Sequence, residues 1–200
     1  MGTDAGQPKR TEPRIVALAC SAGGLEALRE VLLRLPADFD AAVVVLRHEA
    51  PGHSPLAGLL ARSCALPVAP AAHDDELVAG RVYVVPAGAH ALVTLANRIM
   101  LLPAAERPPY RPSADLLFTS LALVAGPRTI AVVLSGSGHD GAIGAEAVHT
   151  CGGTVLAADE ASSVQFSMPA SAIARRDTVD QVLPVTEIAG ALVSLLTVPS

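Results

Sequence analysis

The chain has 200 residues, a formal net charge of −5, and 51% hydrophobic against only 2% aromatic residues. A chain of this length buries roughly 70% of the surface its unfolded form exposes, enough for one packed domain without disulfides or a structural metal. Acidic balance and scarce aromatics argue against nucleic-acid binding, which draws on basic patches and stacking faces, and no run of ~20 uncharged apolar residues marks a membrane span.

Residues 1–13 (MGTDAGQPKRTEP) are polar and read as a disordered lead, without the apolar stretch of a signal peptide. Residues 14–20 (RIVALAC) read as a strand buried on both faces. A helix is expected over 24–35, with Leu25, Leu28, Leu32 and Leu35 along one side, ended by Pro36 and Asp38. AAVVVL (41–46) is a second strand, and RHEAPGHS a loop, because Pro51-Gly52 cannot continue a helix. Pro55 suits the first turn of a helix over 55–64, and PVAPA is a short strand. RVYVVP (81–86) is another strand, and the two apolar runs of 91–102, parted by Ala-Asn, suggest a β-hairpin. AAERPPYRP reads as a rigid, extended loop. The helix over 113–126 has Ser113 as N-cap and Gly126 as its stop. RTIAVVLS (128–135) is a strong strand, GSGHDG a tight loop, 141–151 a small-residue helix, 153–159 a strand, and EIAGALVSLL a closing helix. Strands that are apolar throughout and alternate with helices predict an α/β fold: a doubly wound, mostly parallel, Rossmann-like sheet flanked by helices, with a β-hairpin at one edge. Residues 14–200 form its single domain.

In open α/β sheets ligands bind beyond the carboxyl ends of the strands. Three reactive side chains fall there: Ser21 after the first strand, His48 after the second, and Asp140 in the glycine-rich loop after TIAVVLS. A nucleophile, a base and a carboxylate are what serine-type acyl transfer needs. The chain order Ser, His, Asp differs from that of the α/β-hydrolases, and ACSAG lacks the first glycine of their nucleophile elbow. Each residue also has a plainer reading. Ser21 can cap a helix, and Gly23-Gly24 can cradle a phosphate, although no P-loop lysine follows. Cys20 can be the nucleophile or a small core residue. His48 can ligate a metal with Glu49 and His53, but the helical H-E-x-x-H spacing is missing. Asp140 can cap a turn. His90 lies past another strand end, either lining a pocket or sitting in a polar loop, while His73, Asp74 and Asp75 read as solvated. Cys20, Cys64 and Cys151 are odd in number and widely spaced, which fits a reducing cytoplasm better than a disulfide framework or zinc site.

Six segments together resemble one family. VALACSAGG is similar to a strand followed by S-T-G-G, VVVLRHEAPGHS to a strand followed by Q-H-M-P and a glycine, and GRVYVVPAGAH to a segment with A-P-G-x-x-H. RPSADLLFTSLA resembles R-P-S-V-D-x-L-F, AVVLSGSGHDGAIGA resembles L-T-G-M-G-x-D-G, and ADEASSVQFSMPASAI resembles E-x-S-x-V-x-G-M-P. In this order they resemble the catalytic domain of the chemotaxis protein-glutamate methylesterases, from about residue 14 to the C-terminus. The resemblance implies that Ser21, His48 and Asp140 form a catalytic triad, with no metal or cofactor. Backbone N–H groups of the Ala22-Gly23 turn and of Ser137 and Gly138 would serve the oxyanion and substrate, with His90 beside them. It implies demethylation of glutamyl methyl esters, and deamidation of glutamines, on the cytoplasmic helices of methyl-accepting chemoreceptors. Thirteen leading residues are too few for the family's receiver domain, so a stand-alone catalytic domain is expected, with a separate response regulator as a further partner. Four departures stand out: Ala22 where Thr is usual, Ser137 for Met, Ser167 for Gly, and His139 for Asn, where it would compete for Asp140. Those in SAGG and GSGHDG motivate the alternative of a weakened domain that binds a receptor or signalling partner. A nucleotide- or phosphate-binding protein is the third reading.

Overall fold

The computed structural model describes residues 12–104 and 112–197. Its frame is set by β-branched and small apolar runs that only a sheet covered on both faces can bury. Such runs make up most of β1 (Arg14–Cys20), β2 (Ala41–Arg47), β4 (Arg81–Val84), β7 (Thr129–Val133) and β8 (Thr154–Ala158), and the short, less buried β3 (Val68–Pro70) and β9 (Gln181–Leu183) complete the strands. They form one seven-stranded sheet in the order β3-β4-β2-β1-β7-β8-β9, with every pairing parallel. The helices are α1 (Gly24–Leu33), α2 (Leu56–Ala61), α3 (Ala114–Ala125), α4 (Ala142–Thr150), α5 (Ser167–Ile173) and α6 (Val185–Thr197).

Strand alternation divides the interior into two cores. Ile15, Ala17 and Ala19 of β1 face Leu117, Phe118 and Leu121 of α3, with Ala145 of α4 and Met168 of α5 in the same cluster. Val16, Leu18 and Cys20 face the other way, toward Leu28 and Val31 of α1, Leu60 of α2 and Ile188 of α6. From β1 the chain passes through α1 to β2 on one side, and from β7 through α4 to β8 on the other. The strand order therefore reverses between β1 and β7, and the crevice beyond their carboxyl ends is the topological switch point where such sheets bind ligands.

The expected hairpin is present as β5 (Ala89–Val93) and β6 (Ile99–Pro103). It makes a separate two-stranded sheet and adds no strand to the edge of the main one. Ala91, Val93 and Ile99 share the buried cluster of α3, and the Val93 N–H donates to Ser120 Oγ at 3.0 Å. Its apolar face is thus buried against a helix. The α2 helix is shorter than 55–64, because a Ser63 N–H to Leu60 C=O bond at 3.0 Å tightens its end into a three-residue turn. Of the expected N-terminal lead only Glu12 and Pro13 are described, held by Arg128: Nη1 donates to the Pro13 C=O at 2.8 Å and Nη2 pairs with Glu12 at 2.7 Å. The rest of that lead, and 105–111 of the expected extended loop, lie outside the described residues. Among the described residues no helix is long and apolar enough to cross a membrane.

Candidate active site

The serine turn is made by main-chain hydrogen bonds at the end of β1. The Ser21 N–H donates to the Ser135 C=O just past β7, and the Gly24 N–H returns to the Ser21 C=O, both at 3.0 Å. Between them Gly23 has φ +74°, and a Cβ there would sit 2.5 Å from Val164 Cβ, so the position demands glycine. His48 is brought alongside by one extra rung of the β1-β2 ladder, its N–H donating to the Cys20 C=O at 3.0 Å. Ser21 and His48 therefore leave adjacent ends of paired strands.

Asp140 is the centre of the polar network. Its side chain is only 2% exposed. Oδ2 accepts from His48 Nε2 at 2.7 Å and from the Ala114 N–H at 2.6 Å. Oδ1 accepts from the Asp115 N–H at 3.0 Å and from Ser113 Oγ at 3.1 Å. The first N–H groups of a helix have no partner within it, and α3 shows where they go. Ser113 N–H donates to His90 Nδ1 at 3.1 Å, those of Ala114 and Asp115 to Asp140, and that of Leu116 to Ser113 Oγ at 3.4 Å. The carboxylate that binds the imidazole is thus also the anion seated on the α3 N-terminus.

These contacts set its protonation. Burial pushes the Asp140 carboxyl up, but hydrogen bonds from His48, Ala114 and Asp115, together with the imidazole charge, outweigh it and hold the group below its ordinary value. Asp115 shifts the other way, raised chiefly by burial and further by the Asp140 charge, against hydrogen bonds from the Gly144 and Gly141 main chain. An ionised Asp140 fixes the proton of His48 on Nε2, which makes Nδ1 the basic nitrogen. Burial pushes the Cys20 thiol up to about 12, with Arg47 lowering it slightly and Glu49 adding to the rise. A thiol in that state is an inert core group, so Cys20 is the small core residue of its two readings.

The other predicted residues divide. Ala22 and Gly23 occupy the serine turn, and Ser137 and Gly138 the loop after β7. The N–H groups of Ala22, Gly23 and Ser137 make no hydrogen bond among the described residues, whereas that of Gly138 donates to Ser167 Oγ at 3.2 Å. Gly138 is therefore not a ready oxyanion donor, because Ser167 supplies an acceptor where the resembled motif has glycine. His90 Nδ1 accepts the Ser113 N–H and so anchors the main chain at the start of α3. His139 is exposed, and the four hydrogen bonds to Asp140 come from His48, Ser113, Ala114 and Asp115. Among the described residues no group of three or more His, Cys, Asp or Glu is placed to hold a metal ion.

Sequence reasoning found Ser113 as a cap but missed its bond to Asp140. It also missed Ser135 and Gln165, which tie the serine turn to the segment before α5. The signal available was the S-G-S-G run, where a serine at a strand end inside an apolar stretch needs a buried partner. Beside His48 an open groove of about 380 Å³ is lined by Arg47, Glu49, His53, Ser54 and Ala87.

Fold and site together define a class: a doubly wound α/β domain with a serine turn, an imidazole and a buried carboxylate gathered at its switch point. Comparison with known proteins narrows it. The model of the CheB methylesterase family matches residues 16–192, and the chain belongs to that family. It is 42% identical over 182 residues to protein-glutamate methylesterase/protein-glutamine glutaminase 3 of Paramagnetospirillum magneticum, covering 90% of this chain and 51% of that protein. It is 39% identical over 179 residues to protein-glutamate methylesterase FrzG of Myxococcus xanthus, covering 89% of this chain and 53% of that protein. The chain thus spans about half the length of these curated relatives. The crystal structure of the Thermotoga maritima CheB methylesterase catalytic domain superposes with a TM-score of 0.85 at 33% identity, covering 92% of this chain and 98% of that one.

Proposed function

We propose that the chain is a serine esterase that hydrolyses glutamyl methyl esters on the cytoplasmic helices of chemoreceptors, and deamidates glutamines at the same kind of site. The observation that carries the reading is the 2.7 Å bond from His48 Nε2 to a buried Asp140, one ladder rung from Ser21. The names of the relatives supply the substrate class.

In this mechanism Ser21 Oγ attacks the ester carbonyl while His48 Nδ1 accepts its proton. Asp140 holds the proton on Nε2 and stabilises the imidazolium, so the carboxylate sits on the opposite ring nitrogen from that in the Ser-His-Asp template. The developing oxyanion takes the N–H groups of Ala22 and Ser137, which are not committed to partners among the described residues; one such donor is typically worth ~10²–10³ in rate. The imidazolium returns the proton to the leaving methoxide, releasing methanol. His48 then takes a proton from water as it attacks the glutamyl-Ser21 ester, yielding glutamate and free serine. For glutamine the leaving group is ammonia. The chemistry is placed in the cytoplasm, in keeping with the three free cysteines.

The test is release of methanol from a methylated chemoreceptor cytoplasmic fragment. The reading expects turnover by the native chain and loss of ~10³-fold or more in Ser21→Ala and in His48→Ala. Turnover retained in Ser21→Ala would remove the proposed nucleophile. Absence of turnover in the native chain, with equal receptor binding by Ser21→Ala, would favour the binding-domain alternative.

A further inference from the structure

We infer that Ser135 is a positioning residue for this reaction: its buried hydroxyl clamps the serine turn to the Gln165 main chain and so sets the aim of the Ala22 N–H. The inference rests on the reading of Ser21 as nucleophile.

Ser135 is 1% exposed and lies in the crevice between β1 and β7. Its hydroxyl is in hydrogen-bonding reach of the Ala22 C=O at 3.0 Å and the Gln165 C=O at 3.3 Å, and accepts the Gln165 N–H at 3.0 Å. One hydroxyl proton serves one strong bond, and the Ala22 C=O is the nearer acceptor. The main chain of the same residue repeats the link. Its C=O accepts the Ser21 N–H at 3.0 Å, and the next N–H, of Gly136, donates to the Gln165 C=O at 2.9 Å. Three separate pieces of chain, the turn after β1, the loop after β7 and the segment before α5, are thus joined at one side chain.

The consequence for chemistry follows from the geometry of Ala22. Its C=O, held by Ser135, fixes the Ala22–Gly23 peptide plane, and the Gly24 N–H on the Ser21 C=O fixes the preceding plane, which carries the Ala22 N–H proposed as oxyanion donor. The turn is otherwise exposed at Ala22 and Gly23, and Gly23 has the left-handed φ that gives a glycine wide conformational freedom. Without the hydroxyl, the Ala22 C=O and the Gln165 N–H each lose a buried partner, and the released Ala22–Gly23 plane loosens the turn around the donor. A donor misaligned by a small angle loses most of its stabilisation of the transition state while barely altering ground-state binding.

The test is the rate of Ser21 modification by a fluorophosphonate, resolved into the maximal inactivation rate and the half-saturating concentration, on variants whose thermal midpoints are recorded. Ser135→Ala and the near-isosteric but weakly hydrogen-bonding Ser135→Cys should lower the maximal rate roughly tenfold or more, with the half-saturating concentration within about twofold. Ser135→Thr, which keeps the hydroxyl, should restore the rate. Ser194→Ala removes an exposed hydroxyl bond to the Gly190 C=O on α6 and should match the native chain. Native rates in folded Ser135→Ala or Ser135→Cys would overturn the inference, as would an equally slow Ser135→Thr. No labelling of the native chain would instead overturn the nucleophile reading, and this inference with it.

Discussion

Replacing Asp140 by Asn should damage catalysis and folding at once, through separable contacts. The carboxylate receives four hydrogen bonds, two on each oxygen. An amide keeps one oxygen and turns its NH₂ toward donors. With the oxygen on the Oδ2 side, His48 and Ala114 keep their acceptor, but the Asp115 N–H confronts another donor. With the oxygen on the Oδ1 side, the Ala114 N–H is orphaned, and His48 can meet the amide only as an acceptor at Nε2, with its proton moved to the nitrogen that should act as base. In either case a buried helix N-terminus loses its anion. Hydrogen bonds to charged groups contribute about 1.5–3 kcal/mol each, so two lost bonds put the destabilisation at about 3 kcal/mol at the lower end. In the second arrangement the wrong tautomer should cost ~10⁴ in kcat, and in the first the loss of the carboxylate charge removes stabilisation of the imidazolium. Methanol release gives the catalytic loss, and urea unfolding followed by circular dichroism gives the stability loss, with Ser21→Ala as the variant that loses activity alone. A stability change below about 0.5 kcal/mol in Asp140→Asn would refute the capping argument, and activity within tenfold of native would refute the orienting role.

Further outcomes follow from the same contacts. Because Asp140 is held below its ordinary value of 3.8, the unfolded chain protonates there first on acidification. Its stabilisation is therefore complete above that value and lost as pH falls through the depressed one, and urea midpoints against pH should flatten in this range in Asp140→Asn. Asp115 has the opposite sign: its carboxyl is raised, so the folded state keeps the proton longer, and stability is lost as pH rises from the ordinary value of 3.8 through the folded one and is constant beyond it. Asp115→Asn keeps an acceptor for the Gly144 N–H, now 2.8 Å from Oδ1. It should be equal to or more stable than the native chain at pH 7, whereas a loss above about 1 kcal/mol would contradict the charge argument. A Cβ on Gly136 would lie 2.6 Å from Met168 Sδ and 2.9 Å from Ser21 Cβ, so Gly136→Ala should lower kcat at least roughly tenfold by displacing the serine; native kcat would show that the crevice yields freely. Cys20, with its thiol pushed up to about 12, should resist iodoacetamide at pH 8 in the folded chain and react only after unfolding, as peptide mapping would show.

The strand and helix frame was legible because its segments are long and apolar. Apart from the arginines at the ends of β1 and β2, the strands β1, β2 and β7 carry no side chain that a solvated face would require, and α3 announces itself through Ser113 and Gly126. Two short elements, β9 and α5, were not legible. β9 is largely exposed and shows no apolar run, and α5 contains Pro169 in its first turn, so both were absent from the pattern. The hairpin was found but misplaced, since an apolar face does not reveal whether it is covered by a sheet edge or by α3. At the site, strand-end position picked out Ser21, His48 and Asp140. It did not reveal that Asp140 caps α3, because the contact joins residues 26 apart through a crossover that only the folded sheet brings together. For the same reason the Ser135 link to Ala22, 113 residues away in sequence, was out of reach.

Peptide mapping of the adduct formed by a serine-directed fluorophosphonate tests the central claim most directly. A single modified residue, Ser21, in the native chain, with modification lost in His48→Ala, is the predicted result. Modification at Cys20, or labelling of Ser21 that persists at the native rate in His48→Ala, would contradict it.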